Sequence, residues 1–302
     1  MDGQVTRRGL LGGALTLATA AVTGKMAEAE THWPVLATAA SLRIAQVSDF
    51  HWGYRGDWNR NLSSTVERIL TAVRGLNPAP SLLLVTGDLI QATSDAKERQ
   101  RRLETVKAKL EGLNIPWLAV PGEHDTFGDQ GQLFQQVIGS LFFHRAFQGL
   151  HMIGLDNVSR GPFLGNKQYQ WFRSELARLQ PTDPVVVFSH RPLYDVFTPW
   201  NWYTYDGDKV YTSLDSFNRR LCVFGHVHQA MSHQSHHTAN LSGLPASWPL
   251  PSPGPLERLQ PWPQGASHPD MGLGFRVIDY ALGSFTSRIY PLTSTHAEVE
   301  LI

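Results

Sequence analysis

The chain has 302 residues, 42% of them hydrophobic, which is ample for a sizeable core and places it among globular proteins. Lys plus Arg number 26 and Asp plus Glu number 26, so no global field favours nucleic acid or an anionic membrane surface, and no polyanionic partner is implied. The single cysteine, Cys222, excludes an intramolecular disulfide and a cysteine-rich structural zinc site.

The first 29 residues stand apart from the fold. Thr6-Arg7-Arg8-Gly9-Leu10-Leu11 carries a twin arginine, Leu10 to Val22 is apolar but too short to span a bilayer, and Ala27-Glu28-Ala29 has the small-residue spacing of a signal-peptidase site. The segment resembles a bacterial twin-arginine export signal cut after Ala29. That resemblance implies a linker over 30–41, one domain over 42–302, and the twin-arginine export machinery as a partner. It also implies a periplasmic or secreted destination, with no membrane span left after cleavage.

From Leu42 the pattern alternates strand and helix. Apolar runs predict strands at 42–48, 82–86, 117–121, 185–189 and 221–224. Leu62, Val66, Ile69, Leu70, Val73 and Leu76 recur with helical spacing, and Gly75-Leu76-Asn77-Pro78 stops that helix. Ser94 or Asp95 caps a second helix with Leu103, Val106 and Leu110 inward, and its charges from Lys97 to Arg102 read as a solvated face. A helix over 132–138, strands over 141–147 and 150–155, and an amphipathic helix over 166–179 follow. After His228 helix signals cease, and 229–235, 275–280 and 284–291 read as strands. Between them 244–263, rich in proline and tryptophan, reads as an ordered surface excursion with Trp248 and Trp262 as packing anchors.

The strand ends carry the chemistry. Each of the five runs stops at a metal-ligand type of residue: Asp49-Phe50-His51, Gly87-Asp88, Gly122-Glu123-His124-Asp125, His190, and Gly225-His226-Val227-His228. Ligands gathered at the carboxyl ends of parallel strands line the crevice where open α/β sheets bind. Taken in order, these blocks resemble the calcineurin-like metallophosphoesterase superfamily. The resemblance implies a four-layer α/β/β/α sandwich of two mixed sheets with a dinuclear metal centre at the strand ends.

It further implies that Asp49, His51 and His228 hold one metal, that Glu123, His190 and His226 hold the other, and that Asp88 bridges. The two ions would be divalent or mixed-valence manganese, iron or zinc. A metal-bridging hydroxide would attack a phosphomonoester or phosphodiester, a small-molecule substrate. His124 would be the catalytic residue, donating to a phosphate oxygen or protonating the leaving alkoxide.

Two departures from the family pattern stand out. Glu123 replaces the usual Asn, as in a subgroup of exported bacterial members that this chain resembles, and is expected to make the centre more anionic and to favour iron or manganese. Gln91 stands where some members carry an acid that orients the catalytic histidine, leaving Asp125 or a backbone carbonyl to do so. Beyond the ligands, Arg191 is a candidate for reaching phosphate. Trp202, within the aromatic stretch from Tyr194 to Asp206, is a candidate wall of the substrate cleft, and His233, His236 and His237 are solvent-facing strand residues rather than a third metal site. The competing expectation is a non-catalytic metal-binding protein that keeps this fold.

Overall fold

The structure, a computed structural model, describes residues 41–251, 271–292 and 298–300. The export segment, the linker up to residue 40 and Trp262 lie outside the described residues. In chain order the elements are β1 (Leu42–Val47), α1 (Leu62–Arg74), β2 (Leu82–Thr86), α2 (Ala96–Glu111), β3 (Trp117–Val120), α3 (Gln132–Val137), β4 (Phe143–Phe147) and β5 (Leu150–Gly154). There follow α4 (Gly165–Leu176), β6 (Val185–Phe188), α5 (Asp208–Leu214), β7 (Arg220–Phe224), β8 (Met231–Ser235), β9 (Thr238–Ser242), β10 (Gly274–Ala281), β11 (Ser284–Pro291) and β12 (Glu298–Glu300).

The strands form two mixed six-stranded sheets, ordered β12-β11-β10-β1-β2-β3 and β4-β5-β6-β7-β9-β8. Strands β1, β2 and β3 run parallel, as do β5, β6, β7 and β9. Alternate residues of one strand face opposite ways, so a strand buried on both faces is apolar on both wherever its polar groups find no partner. Strand β1 is apolar apart from Arg43 and Gln46: Leu42 and Ile44 point between the sheets toward Val186, Phe188, Leu221 and Val223. Ala45 and Val47 point the other way, under Val66, Ile69 and Val73 of α1 and Val106 and Leu110 of α2. On the far side Phe172 and Leu176 of α4 and Val210 and Leu214 of α5 cover Val185, Val187 and Cys222. Four layers result, α/β/β/α, and burying each such side chain contributes roughly 1.5–3 kcal/mol.

Helix ends follow local chemistry. Asp95 caps α2, its carboxylate accepting from the Lys97 and Glu98 N–H groups, and Gly75 closes α1. The charged run on α2 is not all solvated. Arg99 is 5% exposed and donates to the Thr93 carbonyl and to Asp129, while Arg102 donates to the Gln91 carbonyl at 2.7 Å. Long aliphatic stems let these arginines enter the packed layer and reach loop carbonyls that helical periodicity cannot foresee.

Three elements escape the sequence pattern, among them the three-residue β12. Helix α5 spans only seven residues. Strand β9 reads Thr-Ala-Asn-Leu-Ser, yet Thr238, Asn240 and Ser242 are all buried. Its polar groups find partners instead of water: Tyr211 Oη donates to Asn240 Oδ1 at 2.6 Å, and Ser242 Oγ donates to the Gln229 carbonyl. Among the described residues no helix is long and apolar enough to cross a membrane.

Candidate metal centre

Every candidate ligand sits just past a strand end: Asp49 and His51 after β1, Asp88 after β2, Glu123 after β3, His190 after β6, and His226 and His228 after β7. The chain must turn abruptly there. Asp49, His51, Asp88, His226 and His228 all take φ between 47° and 69°, the left-handed region that non-glycine residues avoid. Such conformations cost energy and persist where function over-determines them. Gly122 has a separate reason: a Cβ on it would run into the Asp88 carboxylate.

These turns bring overlapping sets of donors together: Asp49 with His51 and His228, Glu123 with His190 and His226, and, joining the two, Asp49 with Asp88 and His190 and His51 with Asp88 and His124. Asp88 lies between them, its Oδ2 3.5 Å from His51 Nε2 and 3.5 Å from His190 Nε2. Within the first group, His51 Nε2 and His228 Nε2 are 3.2 Å apart, and His228 Nε2 is 3.5 Å from Asp49 Oδ1. In the second, Glu123 Oε2 lies 2.7 Å from His190 Nε2 and 3.3 Å from His226 Nδ1. Bonds of about 2.0–2.2 Å to one cation put neighbouring donors roughly 3.0–3.5 Å apart, so most of these spacings fit a shared ion.

The ring tautomers give a stronger test. His51 Nδ1 meets the Gln91 Oε1 acceptor at 3.1 Å and His228 Nδ1 meets the Trp248 carbonyl at 2.6 Å, so each Nδ1 carries the proton. Both Nε2 lone pairs then face each other, a repulsive arrangement that a cation between them makes favourable. His190 repeats the pattern, with Nδ1 on the Thr86 carbonyl at 2.8 Å. His226 Nε2 is buried without a hydrogen-bond partner. The buried Glu123 Oε2 has His190 Nε2 at 2.7 Å and His226 Nδ1 at 3.3 Å beside it and is the carboxylate oxygen aimed at the gathering point. The residues fit a pair of cations.

The electrostatics agree. Burial drives the His51 imidazole well below its ordinary pKa, keeping it neutral. For Asp88 burial alone would raise the carboxyl, but the neighbouring imidazoles, His190 foremost, hold it below the usual range. His190 is pulled the other way: burial opposes protonation, and the Asp88 and Glu123 carboxylates more than reverse that. Positive charge is what this pocket asks for.

His124 lies within donor range of His51 and Asp88 but is held differently from the other imidazoles. The Ala92 N–H donates to its Nδ1 at 3.1 Å, which fixes the proton on Nε2 and makes the ring a donor toward the cavity. Its ring meets His51 edge-on at 4.5 Å. Protonating Nδ1 would set N–H against N–H, so hydrogen-bond donation fits this site and proton delivery to a leaving group does not. Asp125 does not orient His124 as expected. Its carboxylate accepts from the Gly122, Leu89 and Ile90 N–H groups, tying the loop after β3 to the loop after β2. Burial, then the Asp88 charge, push Asp125 up to about 7 against those three bonds.

Arg191 is corrected too. It does not project into the cavity: Nε and Nη2 both lie 2.5 Å from Glu123 Oε1. The cavity over the centre, about 220 Å³, is lined by His51, Trp58, Asp88, His124, Trp202, His226, His228, Trp248 and Leu250. Trp202 packs against His226 at 4.8 Å, as a cleft wall should, and Trp248 stacks on His51 at 4.5 Å. Trp248 thus does more than anchor the excursion, and neither it nor Trp58 has a sequence signal beyond residue type. His233 lies on β8 and stacks on Tyr194, whereas His236 and His237 lie in the turn between β8 and β9 rather than on a strand, with His236 paired to Asp208.

Comparison with known proteins bears on this centre. Residues 42–230 match the family described as calcineurin-like phosphoesterase. A Nostoc protein named 3',5'-cyclic-nucleotide phosphodiesterase is 26% identical over 82% of this chain and 91% of its own length. The human serine/threonine-protein phosphatase CPPED1 is 28% identical, but the match spans 46% of this chain and about half (48%) of that protein. Among solved structures, a zebrafish dimetal phosphatase superposes with a TM-score of 0.63 at 13% identity, covering 85% of this chain and 98% of its own. The yellow lupin purple acid phosphatase PPD1 gives 0.61 at 11% identity, over 87% of this chain and 53% of its own.

Proposed function

The chain belongs to the calcineurin-like phosphoesterase family, and from that premise we propose that it hydrolyses phosphodiesters bearing a flat aromatic group, on a centre of two cations. The observation that carries this reading is Asp88 Oδ2 standing equally far from a histidine of each ligand group, under a cavity walled by indoles. When bound, two cations supply Lewis acidity at the phosphoryl oxygens and lower the pKa of water.

The chain's own residues do the rest. Gln91, Thr86 and Trp248 hold three imidazoles by Nδ1 so that each offers Nε2. His124 offers its Nε2–H to a phosphoryl oxygen as charge builds there. Trp202 and Trp248 exclude water and give a planar ester group a face to stack on.

The diester preference rests on charge. A monoester dianion calls for arginine or lysine in its cradle. Among the described residues none lines this cavity, and Arg191 is already committed to Glu123. The name of the Nostoc relative supports the same class. The full chain, metal-stripped and reloaded with manganese, is expected to turn over bis-p-nitrophenyl phosphate faster than p-nitrophenyl phosphate. Faster monoester turnover would overturn the diester assignment, and silence toward both with metal bound would favour the non-catalytic binding protein.

The twin arginine at Arg7-Arg8 and the Ala27-Glu28-Ala29 exit support export to the periplasm or beyond. Replacing both arginines by lysine should retain the chain in the cytoplasm. Unchanged fractionation would sink that proposal.

A further inference from the structure

We infer that Glu123 and Arg191 act together as one neutral ligand for the second cation, with Arg191 a positioning residue that selects which carboxylate oxygen is offered and cancels its charge. The two oxygens of Glu123 are used differently. Oε1 is gripped by Nε and Nη2 of Arg191, both at 2.5 Å, while Oε2 faces His190 Nε2 at 2.7 Å and His226 Nδ1 at 3.3 Å. A guanidinium that engages one oxygen through two N–H groups leaves the other as a single donor.

Arg191 is itself pinned at both ends. Its N–H donates to Asn157 Oδ1 at 3.2 Å, its carbonyl accepts from Ser189 Oγ at 2.8 Å and Asn157 Nδ2 at 2.9 Å, and Nη1 donates to the Asn201 carbonyl at 3.4 Å. The side chains are 15% and 29% exposed, so solvent screens the pair only in part. Two uncancelled carboxylates, Asp49 and Asp88, then remain for two cations. The expectation that Glu123 makes the centre more anionic therefore does not hold, because its charge arrives already balanced.

The inference rests on the two-cation reading and is tested by calorimetric titration of the metal-stripped full chain with Mn(II). Glu123→Asn alone strands the Arg191 cation beside the second position and should weaken the second binding event about tenfold or more. Adding Arg191→Met removes that stranded charge and should restore affinity to within about threefold of the unaltered protein. Independently, Arg191→Lys should stay within about threefold, whereas Arg191→Met alone frees a carboxylate charge and should tighten the second event about tenfold. Failure of the double variant to recover, or an unaltered second event in Glu123→Asn, would overturn the inference alone. An unaltered protein that binds no second Mn(II) would overturn the two-cation reading and this inference with it.

Discussion

The two halves of the centre use similar donors and anchor them by different means. Around Asp49, His51 and His228 the spare imidazole nitrogens are held by neutral groups, the Gln91 amide and the Trp248 carbonyl, with the Trp248 ring stacked on His51. Around Glu123, His190 and His226 one spare nitrogen meets the Thr86 carbonyl, but the spare carboxylate oxygen is held by a guanidinium and His226 Nε2 has no hydrogen-bond partner. One half is oriented by dipoles and packing, the other by a balanced ion pair. Neutral anchors respond to shape and contact, whereas a balanced pair responds to the loss of either charge.

The largest expected effect abolishes the distinction. Asp88→Asn removes the donor that faces both halves, so both binding events should weaken and diester turnover should fall by at least about a thousandfold. Retention of two tightly bound cations in that variant would mean that Asp88 does not bridge. Next comes His124→Ala, which spares both halves while deleting the donor above them. Turnover should fall about 10²–10³-fold, equally for esters with good and poor leaving groups. A deficit that grows with leaving-group basicity would show instead that His124 delivers a proton.

A smaller change separates the halves. Gln91→Leu frees His51 Nδ1 and should weaken the first cation about 10–100-fold while the second event stays put. Equal weakening of both would show that the halves are not anchored independently. The smallest effect concerns the walls: Trp202→Ala should raise KM for an aromatic diester about tenfold and leave a dialkyl phosphate nearly unchanged. Steady-state kinetics on the two substrates read the contrast directly, and an equal rise would make Trp202 a packing residue only.

Some features could be predicted from residue order. The strands leading to the site are largely buried on both faces, so β1, β2, β6 and β7 announce themselves as mainly apolar stretches, and the donors follow at their ends. Strand β9 could not be predicted this way, because its buried side chains are polar and satisfied by partners such as Tyr211, 29 residues away. Gln91 was visible as a departure but its use was not: it orients His51, and a backbone N–H one residue later fixes His124. Arg191 looked available for phosphate because a sequence shows a charge without showing its partner.

Residue order by itself determined which side chains can bind cations, that they follow strand ends, and that the chain alternates strand and helix. Those are local properties, set by residue chemistry and by the periods of the backbone. Only the tertiary structure decided which donors come together, which nitrogen of each imidazole faces inward, and that Arg191 pairs with Glu123. Each of these depends on atoms brought within about 3 Å from distant positions, as His51 Nε2 and His228 Nε2, 177 positions apart, stand 3.2 Å from each other. Hydrogen bonds and ion pairs act only at that range, so their partners exist only once the two sheets have closed on each other.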